Sequence, residues 1–274
     1  MEIGIIGIGN MGRILTEAML DSNAVPPSSI TVTNRTTAKA LLLKDIYPEV
    51  TVETNIVEVA KRADLIFICV KPLDVYGVLK SIKHVLSKEK CIVSITSPIC
   101  VTKLEKVVDC SVARAIPSIT NRALSGVSLL TFGVNCESQW KEKLTQLFTH
   151  FSVPLEIEEN ITRVSSDIVS CGPAFFSYLV QRFIHAAIKE TEIDQETATK
   201  LASEMLIGLG ELLKQGHYTL PTLQEKVSVK GGITGVGINV LETELGDVFE
   251  HLFQATHRKF AEDLAHIQQQ FSDE

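Results

Sequence analysis

The sequence predicts an α/β protein in which a doubly wound parallel sheet is followed by a second, all-helical domain. Three observations carry this reading. The apolar stretch Ile3–Ile6 runs into the glycine turn Gly7-Ile8-Gly9-Asn10-Met11-Gly12 and then into apolar residues at helical spacing, Ile14, Leu15, Ala18 and Met19. Strand-like and helix-like segments then alternate to about residue 160, as parallel strands joined by crossover helices require. Beyond residue 160 the strand signal stops and long helical patterns take over.

The 274 residues suit two domains, here 1–160 and 161–274. Twenty-six basic against 33 acidic side chains give a net charge of −7, with neither sign gathered into a block. Such a surface repels polyanions, so small molecules and not nucleic acid are the expected partners. The six cysteines form no CxxC pair, which argues for reduced thiols, a cytoplasmic location and no metal centre. No apolar run reaches membrane-spanning length, and Met1 leads directly into a strand, so neither membrane nor leader segment is expected.

A buried strand entering a GxGxxG turn and a helix is a dinucleotide-binding fingerprint, and it makes the sheet Rossmann-type. The three glycines provide a tight turn, close approach of a pyrophosphate, and close packing of helix on strand; the free N–H groups of the helix start face the anion. Residues 26–29 form a turn and 30–33 the second strand. At its end, where an NAD enzyme usually places an acid, stand Asn34, Arg35, Thr36 and Thr37. A carboxylate would repel a 2′-phosphate and Arg35 can bind one, which favours NADP(H); a solvated cation at a strand end is the alternative. Residues 51–54 are extended, 56–62 helical, and 65–70 a buried strand ending at Lys71 and Pro72. Ligands of open α/β sheets lie beyond the carboxyl ends of the strands, so Val70, Lys71 and Pro72 border the cofactor, unless Pro72 simply ends the strand. A helix over 74–86, strands at 91–95, 112–117 and 127–132, a helix over 138–151 with Trp140, and a strand at 155–157 complete the domain.

In the second domain, residues 168–188 are apolar on nearly every face, and a partner subunit is the economical cover, giving an obligate dimer. Pro173 marks a kink or the first turn of a helix. Cys171 is a buried small residue or a thiol activated by a helix start. Helices follow at 195–213 and 247–270. Between them, Val229-Lys230-Gly231-Gly232-Ile233-Thr234 offers a cradle of N–H groups for a carboxylate, or else a Gly-Gly turn with Thr234 as helix N-cap.

In this order and spacing, the glycine turn, Asn34-Arg35, Val70-Lys71-Pro72, Cys171-Gly172-Pro173-Ala174 and Gly231-Gly232-Ile233-Thr234 resemble the pyrroline-5-carboxylate reductases over essentially the whole chain. The segments at 94–98, 116–121 and 229–232 resemble more closely a branch found beside late competence genes of Gram-positive bacteria. The resemblance implies NADPH-dependent reduction of the cyclic imine 1-pyrroline-5-carboxylate to L-proline, in homodimers or larger assemblies built through the helical domain. It implies a cofactor site at Gly7, Ile8, Gly9, Asn10, Met11, Gly12, Asn34, Arg35, Thr36, Asn55, Val70, Lys71 and Pro72. It implies a substrate site at Val229, Lys230, Gly231, Gly232 and Ile233, with Thr234 hydrogen-bonded to the ring nitrogen as the catalytic residue. Two departures stand out. Val229 and Lys230 occupy positions where the family usually has Ser-Pro, and losing that hydroxyl costs on the order of 1.5–3 kcal/mol of carboxylate binding. Ser118 replaces a family asparagine, for which Asn121 is the candidate substitute. The alternative function is a catalytically degenerate dinucleotide-binding regulatory protein related to competence. Hydroxyacid dehydrogenases of similar layout use a lysine that residues 175–188 lack.

Overall fold

The computed structural model describes residues 1–272, in two compact units. The first comprises Met1–Pro173 with the described residues from Ala255 onward, and the second is Ala174–Gln254.

In the first unit, β1 (Ile3–Ile6) feeds α1 (Asn10–Asp21), and β2 (Ile30–Thr33), α2 (Thr37–Ile46), β3 (Thr51–Val52) and α3 (Ile56–Arg62) follow. Next come β4 (Leu65–Ile68), α4 (Pro72–Ile82), β5 (Cys91–Ser94), α5 (Val101–Glu105), β6 (Ser111–Ile116), β7 (Val127–Phe132), α6 (Ser138–Thr149) and β8 (Val153–Glu156). They form one eight-stranded sheet in the order β3-β2-β1-β4-β5-β6-β7-β8. Growth reverses between β1 and β4, which creates a switch point whose crevice opens at the carboxyl ends of the strands.

Every residue of β1, β2, β4 and β5 is buried, as strands covered on both faces must be. Alternation divides their side chains between two cores. Ile3, Ile5, Leu65, Phe67 and Val93 face α1 and α6, where Leu15, Met19, Trp140 and Phe148 pack. Ile6, Ile66, Ile68 and Ile92 face α3, α4 and α5, meeting Val59, Leu79 and Leu104. Trp140 resolves its one polar atom by donating Nε1–H to the Glu89 carbonyl at 3.1 Å.

The alternating pattern leads to the expectation that all seven strand pairings are parallel; six are, and β7 runs antiparallel to β6. The connection between Ile116 and Val127 holds only a short 3-10 turn at Ile119–Ala123, whereas a parallel crossover needs about a dozen residues or more. Pro72 does not merely end a strand: β4 stops at Ile68 and Pro72 is the first residue of α4, where its missing N–H costs nothing.

Past β8 come α7 (Thr162–Ser166), a π-helical turn (Asp167–Cys171), α8 (Gly172–Glu190), α9 (Gln195–Lys214), α10 (Leu220–Val227), α11 (Ile233–Glu244) and α12 (Val248–Ser272). Pro173 thus lies inside a helical run. It has no N–H for the Val169 carbonyl four residues earlier, and that carbonyl accepts the Ser118 hydroxyl at 2.8 Å. The compact units divide the chain differently from 1–160 and 161–274, because the end of α12 belongs with the sheet: Ile267 is buried among Ile66, Ile68 and Leu79, and Phe271 lies 4.9 Å from the Tyr76 ring.

Ile267→Ala is therefore expected to destabilise the sheet unit by about 2–5 kcal/mol, the range for emptying a buried aliphatic site. Urea denaturation followed by Trp140 fluorescence measures it; an unchanged midpoint would detach this helix from the core.

Candidate functional site

A cleft of about 540 Å³ opens in the sheet unit beyond the carboxyl ends of β1, β2 and β4. Its floor is Gly7 and Gly9, one wall is the loop of Asn34, Arg35, Thr36 and Thr37, and the other is Val70 and Lys71 with the first turns of α4. Backbone geometry explains two of the glycines. Gly7 has φ +107, and a Cβ there would lie 2.6 Å from the Cys69 carbonyl oxygen. A Cβ at Gly12 would lie 2.1 Å from the Gly7 carbonyl oxygen, so α1 can approach the turn only without one. Gly9 is different. A Cβ there meets nothing within 4 Å, so no packing inside the chain demands this glycine. It is also the N-cap of α1 and offers that helix no side-chain cap, which leaves first-turn N–H groups facing the cleft.

Asn34 holds the turn in place. Its Oδ1 accepts the Ile8 N–H at 2.9 Å and its Nδ2 donates to the Thr36 carbonyl at 2.9 Å. The amide is thereby committed to backbone, and Ile8, itself buried in the core, has no N–H left to offer a ligand. Asn55 is likewise structural: it caps α3 by accepting the Val57 N–H at 2.9 Å, while its neighbours Thr54 and Ile56 line the cleft. Gly7, Gly9, Asn34, Arg35, Thr36, Val70 and Lys71 are thus brought together around one space; Ile8, Asn10, Met11, Gly12, Asn55 and Pro72 are not among its lining. Sequence reasoning missed Lys39, which adds a cation from the first turn of α2. Its spacing of four from Arg35 was the available signal. The one acid in the lining is Asp74, in the first turn of α4 and not at the end of β2.

Asn121 does not supply a free amide. It is fully buried: Oδ1 accepts the Ser118 N–H at 2.8 Å and the Ser128 hydroxyl at 3.1 Å, and Nδ2 donates to the Ser125 carbonyl at 3.0 Å. Cys171 is half-buried, and burial pushes its thiol above the ordinary cysteine range, so the helix start does not activate it.

The second cluster of expected site residues lies in the helical unit. Val229 to Gly232 form a turn closed by the Gly232 N–H and the Val229 carbonyl at 2.9 Å, with Gly231 at φ +75, the third-position geometry that favours glycine. Gly232, not Thr234, is the N-cap of α11, again without a side-chain cap. The Gly232 N–H is spent on the turn, so the donors left for an anion are those of Ile233, Thr234 and the residues of that first turn. Lys230 and Thr234 are exposed, Val229 is 66 % exposed and Ile233 93 % exposed.

Comparison with known proteins gives a consistent family. Residues 159–263 match the model of pyrroline-5-carboxylate reductase dimerisation, and residues 2–98 match that of coenzyme F420-dependent NADP oxidoreductase. The chain is 52 % identical over 271 residues to ComE operon protein 4 of Bacillus subtilis, covering 99 % of each chain. It is 30 % identical over 261 residues to pyrroline-5-carboxylate reductase 3 of the same organism, covering 94 % of this chain and 95 % of that one. Two solved structures share its fold: the Plasmodium falciparum pyrroline carboxylate reductase with NADP bound, at TM-score 0.82, 22 % identity and 97 % of both chains, and the Coxiella burnetii pyrroline-5-carboxylate reductase, at TM-score 0.83, 22 % identity and 97 % and 98 % of the two chains.

The glycines separate by experiment. Gly12→Ala is expected to lose about 1–3 kcal/mol of stability through overpacking. Gly9→Ala should stay within about 0.5 kcal/mol of the native protein. Thermal unfolding of both variants without ligand checks the contrast; equal losses would contradict it.

Proposed function

The chain belongs to the pyrroline-5-carboxylate reductase family, and on that premise we propose that it reduces 1-pyrroline-5-carboxylate, or a related cyclic imine bearing a carboxylate, with NADPH. The observation that carries the reading is the cleft itself. It combines an uncapped helix start, a glycine at position 9 that only an external group would require, and Arg35 and Lys39 where an NAD enzyme would place an acid.

The residues present fit a phosphorylated dinucleotide. The first turn of α1 would hold the pyrophosphate, with Gly9 letting it approach the backbone. Arg35 and Lys39, with the hydroxyls of Thr36 and Thr37 and the start of α2, whose N-cap Thr36 makes no side-chain cap bond, would hold the 2′-phosphate. Asn34 acts by holding this loop and the glycine turn in register. When bound, the cofactor supplies a hydride for the imine carbon. The protein's part is positioning. The α11 N–H groups after Gly232 hold the substrate carboxylate, assisted by Lys230. Thr234 hydrogen-bonds the ring nitrogen. Val229 adds apolar surface where a hydroxyl would have gripped the carboxylate, which predicts weaker substrate binding than a serine would give.

Assembly as a homodimer or larger oligomer through the helical unit is part of the proposal. It is supported by the match to a dimerisation model and by the apolar side chains that α8 and α9 leave exposed, among them Phe176, Tyr178, Phe183, Leu201 and Ile207. A cytoplasmic location is also proposed, supported by six unpaired thiols. Among the described residues no helix is long and apolar enough to cross a membrane. A second reading, dinucleotide binding without catalysis in a regulatory protein related to competence, draws on the missing hydroxyl at Val229 and on the likeness to ComE operon protein 4.

Fluorescence titration should show tighter binding of NADPH than NADH, and Arg35→Ala should weaken NADPH about 10- to 100-fold while changing NADH little. Tighter NADH binding by the native protein would overturn the cofactor assignment. NADPH absorbance with pyrroline-5-carboxylate tests the chemistry: turnover by the native chain, raised by the pair Val229→Ser and Lys230→Pro, supports the reductase. Activity in the double variant alone supports the second reading.

A further inference from the structure

Helix α4 lines the cleft with Asp74, Gly77, Val78 and Ser81, spaced three and four residues apart as one face of a helix requires. Its other faces are engaged elsewhere: Val75, Leu79 and Ile82 are fully buried, and the Tyr76 ring stands 4.9 Å from that of Phe271. Val78 and Ile56, which line the same cleft, are half-buried and pack against one core. The surface they leave uncovered is apolar. Gly77, beside Val78, is exposed, and a Cβ there would meet nothing within 4 Å. Glycine inside a helix is destabilising relative to alanine, and no packing within the chain calls for it here. Its effect is to keep this face of α4 shallow enough for a flat ring.

Of the two polar side chains on the face, Ser81 is already committed, its hydroxyl donating to the Gly77 carbonyl at 2.8 Å. Asp74 is not. It is exposed to the cleft, and among the described residues its carboxylate has no hydrogen-bond or ion-pair partner. An ionised carboxylate only accepts hydrogen bonds, so the group it meets must donate. Asp74 is also the acid of a lining that otherwise carries Arg35, Lys39 and Lys71, and its charge repels any phosphate the cleft takes up. A ligand with phosphates at one end and an aromatic ring bearing N–H donors at the other suits both ends of this lining. Adenine has such a donor in its exocyclic amine, whereas hypoxanthine and guanine place a carbonyl oxygen at the same position.

We infer that Asp74 selects the base of the dinucleotide, accepting a hydrogen bond from the adenine exocyclic amine while the ring lies over Gly77 against Ile56 and Val78. This rests on the dinucleotide reading proposed above and adds to it a specificity for adenine.

Fluorescence titration with NADPH and with the reduced hypoxanthine analogue, altered only in the base, tests it. The native chain is expected to bind NADPH at least about tenfold more tightly than the analogue. Asp74→Ala should bring the two affinities close to equal. Their ratio is the decisive quantity, because both ligands carry the same phosphates and the loss of a negative charge acts on both alike. Gly77→Leu, a better helix former at an open position, should weaken both ligands at least about tenfold by filling the space of the ring. The inference is overturned if the native chain binds the two ligands alike, if Asp74→Ala keeps the native ratio, or if Gly77→Leu binds NADPH with native affinity. Equal binding of both ligands would remove this inference and leave the dinucleotide reading standing; binding of neither would overturn both.

Discussion

Close contact between the start of α1 and the end of β4 is the constraint on which the rest of the sheet unit depends. Gly12 lies against the Gly7 carbonyl, and Gly7 against that of Cys69, at distances no side chain allows. Three backbone N–H groups donate at the same point: Gly7 to Thr33 O at 2.8 Å, Cys69 to Ile6 O at 2.8 Å, and Ile8 to the Asn34 side-chain oxygen at 2.9 Å. The turn therefore has one conformation before any ligand arrives. That preorganisation leaves the first-turn donors of α1 pointed into open space, at little cost in ordering when an anion binds.

A second layer of order lies at the carboxyl ends of β5 and β6, where the chain buries polar groups instead of apolar ones. Arg114 is 1 % exposed on β6. Its guanidinium reaches Ser97 O at 3.1 Å, Glu159 at 2.8 Å, Thr131 at 3.2 Å and Thr162 at 2.6 Å. One side chain thus ties the end of β5 to β7 and to the start of α7. Truncating it would strand several acceptors together, and for that reason such a network specifies one arrangement more than it adds net stability. Ser118 and Asn121 extend the pattern. Ser118 serves the carbonyl that Pro173 cannot, and Asn121 pins the connection that turns β7 antiparallel.

The helical unit shows the opposite economy. Its own core is small, built on Ile184, Ala198 and Ala202, while large apolar side chains of α8, α9 and α11 remain exposed. Those exposed side chains fall within the residues that match the dimerisation model. The turn before α11 is closed by the Gly232 N–H bond to the Val229 carbonyl, and the first turn of α11, like that of α1, has no side-chain cap.

Much of this was legible in the chain itself. Residues 3–12 declared the strand, turn and helix, because a GxGxxG between two apolar runs has few other uses; the apolar runs at 65–70 and 91–95 declared parallel strands, which the structure ends at Ile68 and Ser94; and the bounds of α3 were readable from Ile56 to Arg62. Arg35 stood out because no acid accompanied it. What tertiary structure alone decided were the partners of polar side chains and of proline. Asn34, Asn55 and Asn121 are equally good ligand groups on paper, yet the amide oxygen of each accepts a backbone N–H, from Ile8, Val57 and Ser118 respectively. Lys39 joined the cleft and α12 joined the sheet for the same reason. Local periodicity and glycine sterics are written into neighbouring residues, whereas the bond between Ile8 and Asn34, the bond between Ser118 and Val169, and the packing of α12 on the sheet join positions tens of residues apart that only the folded chain brings together.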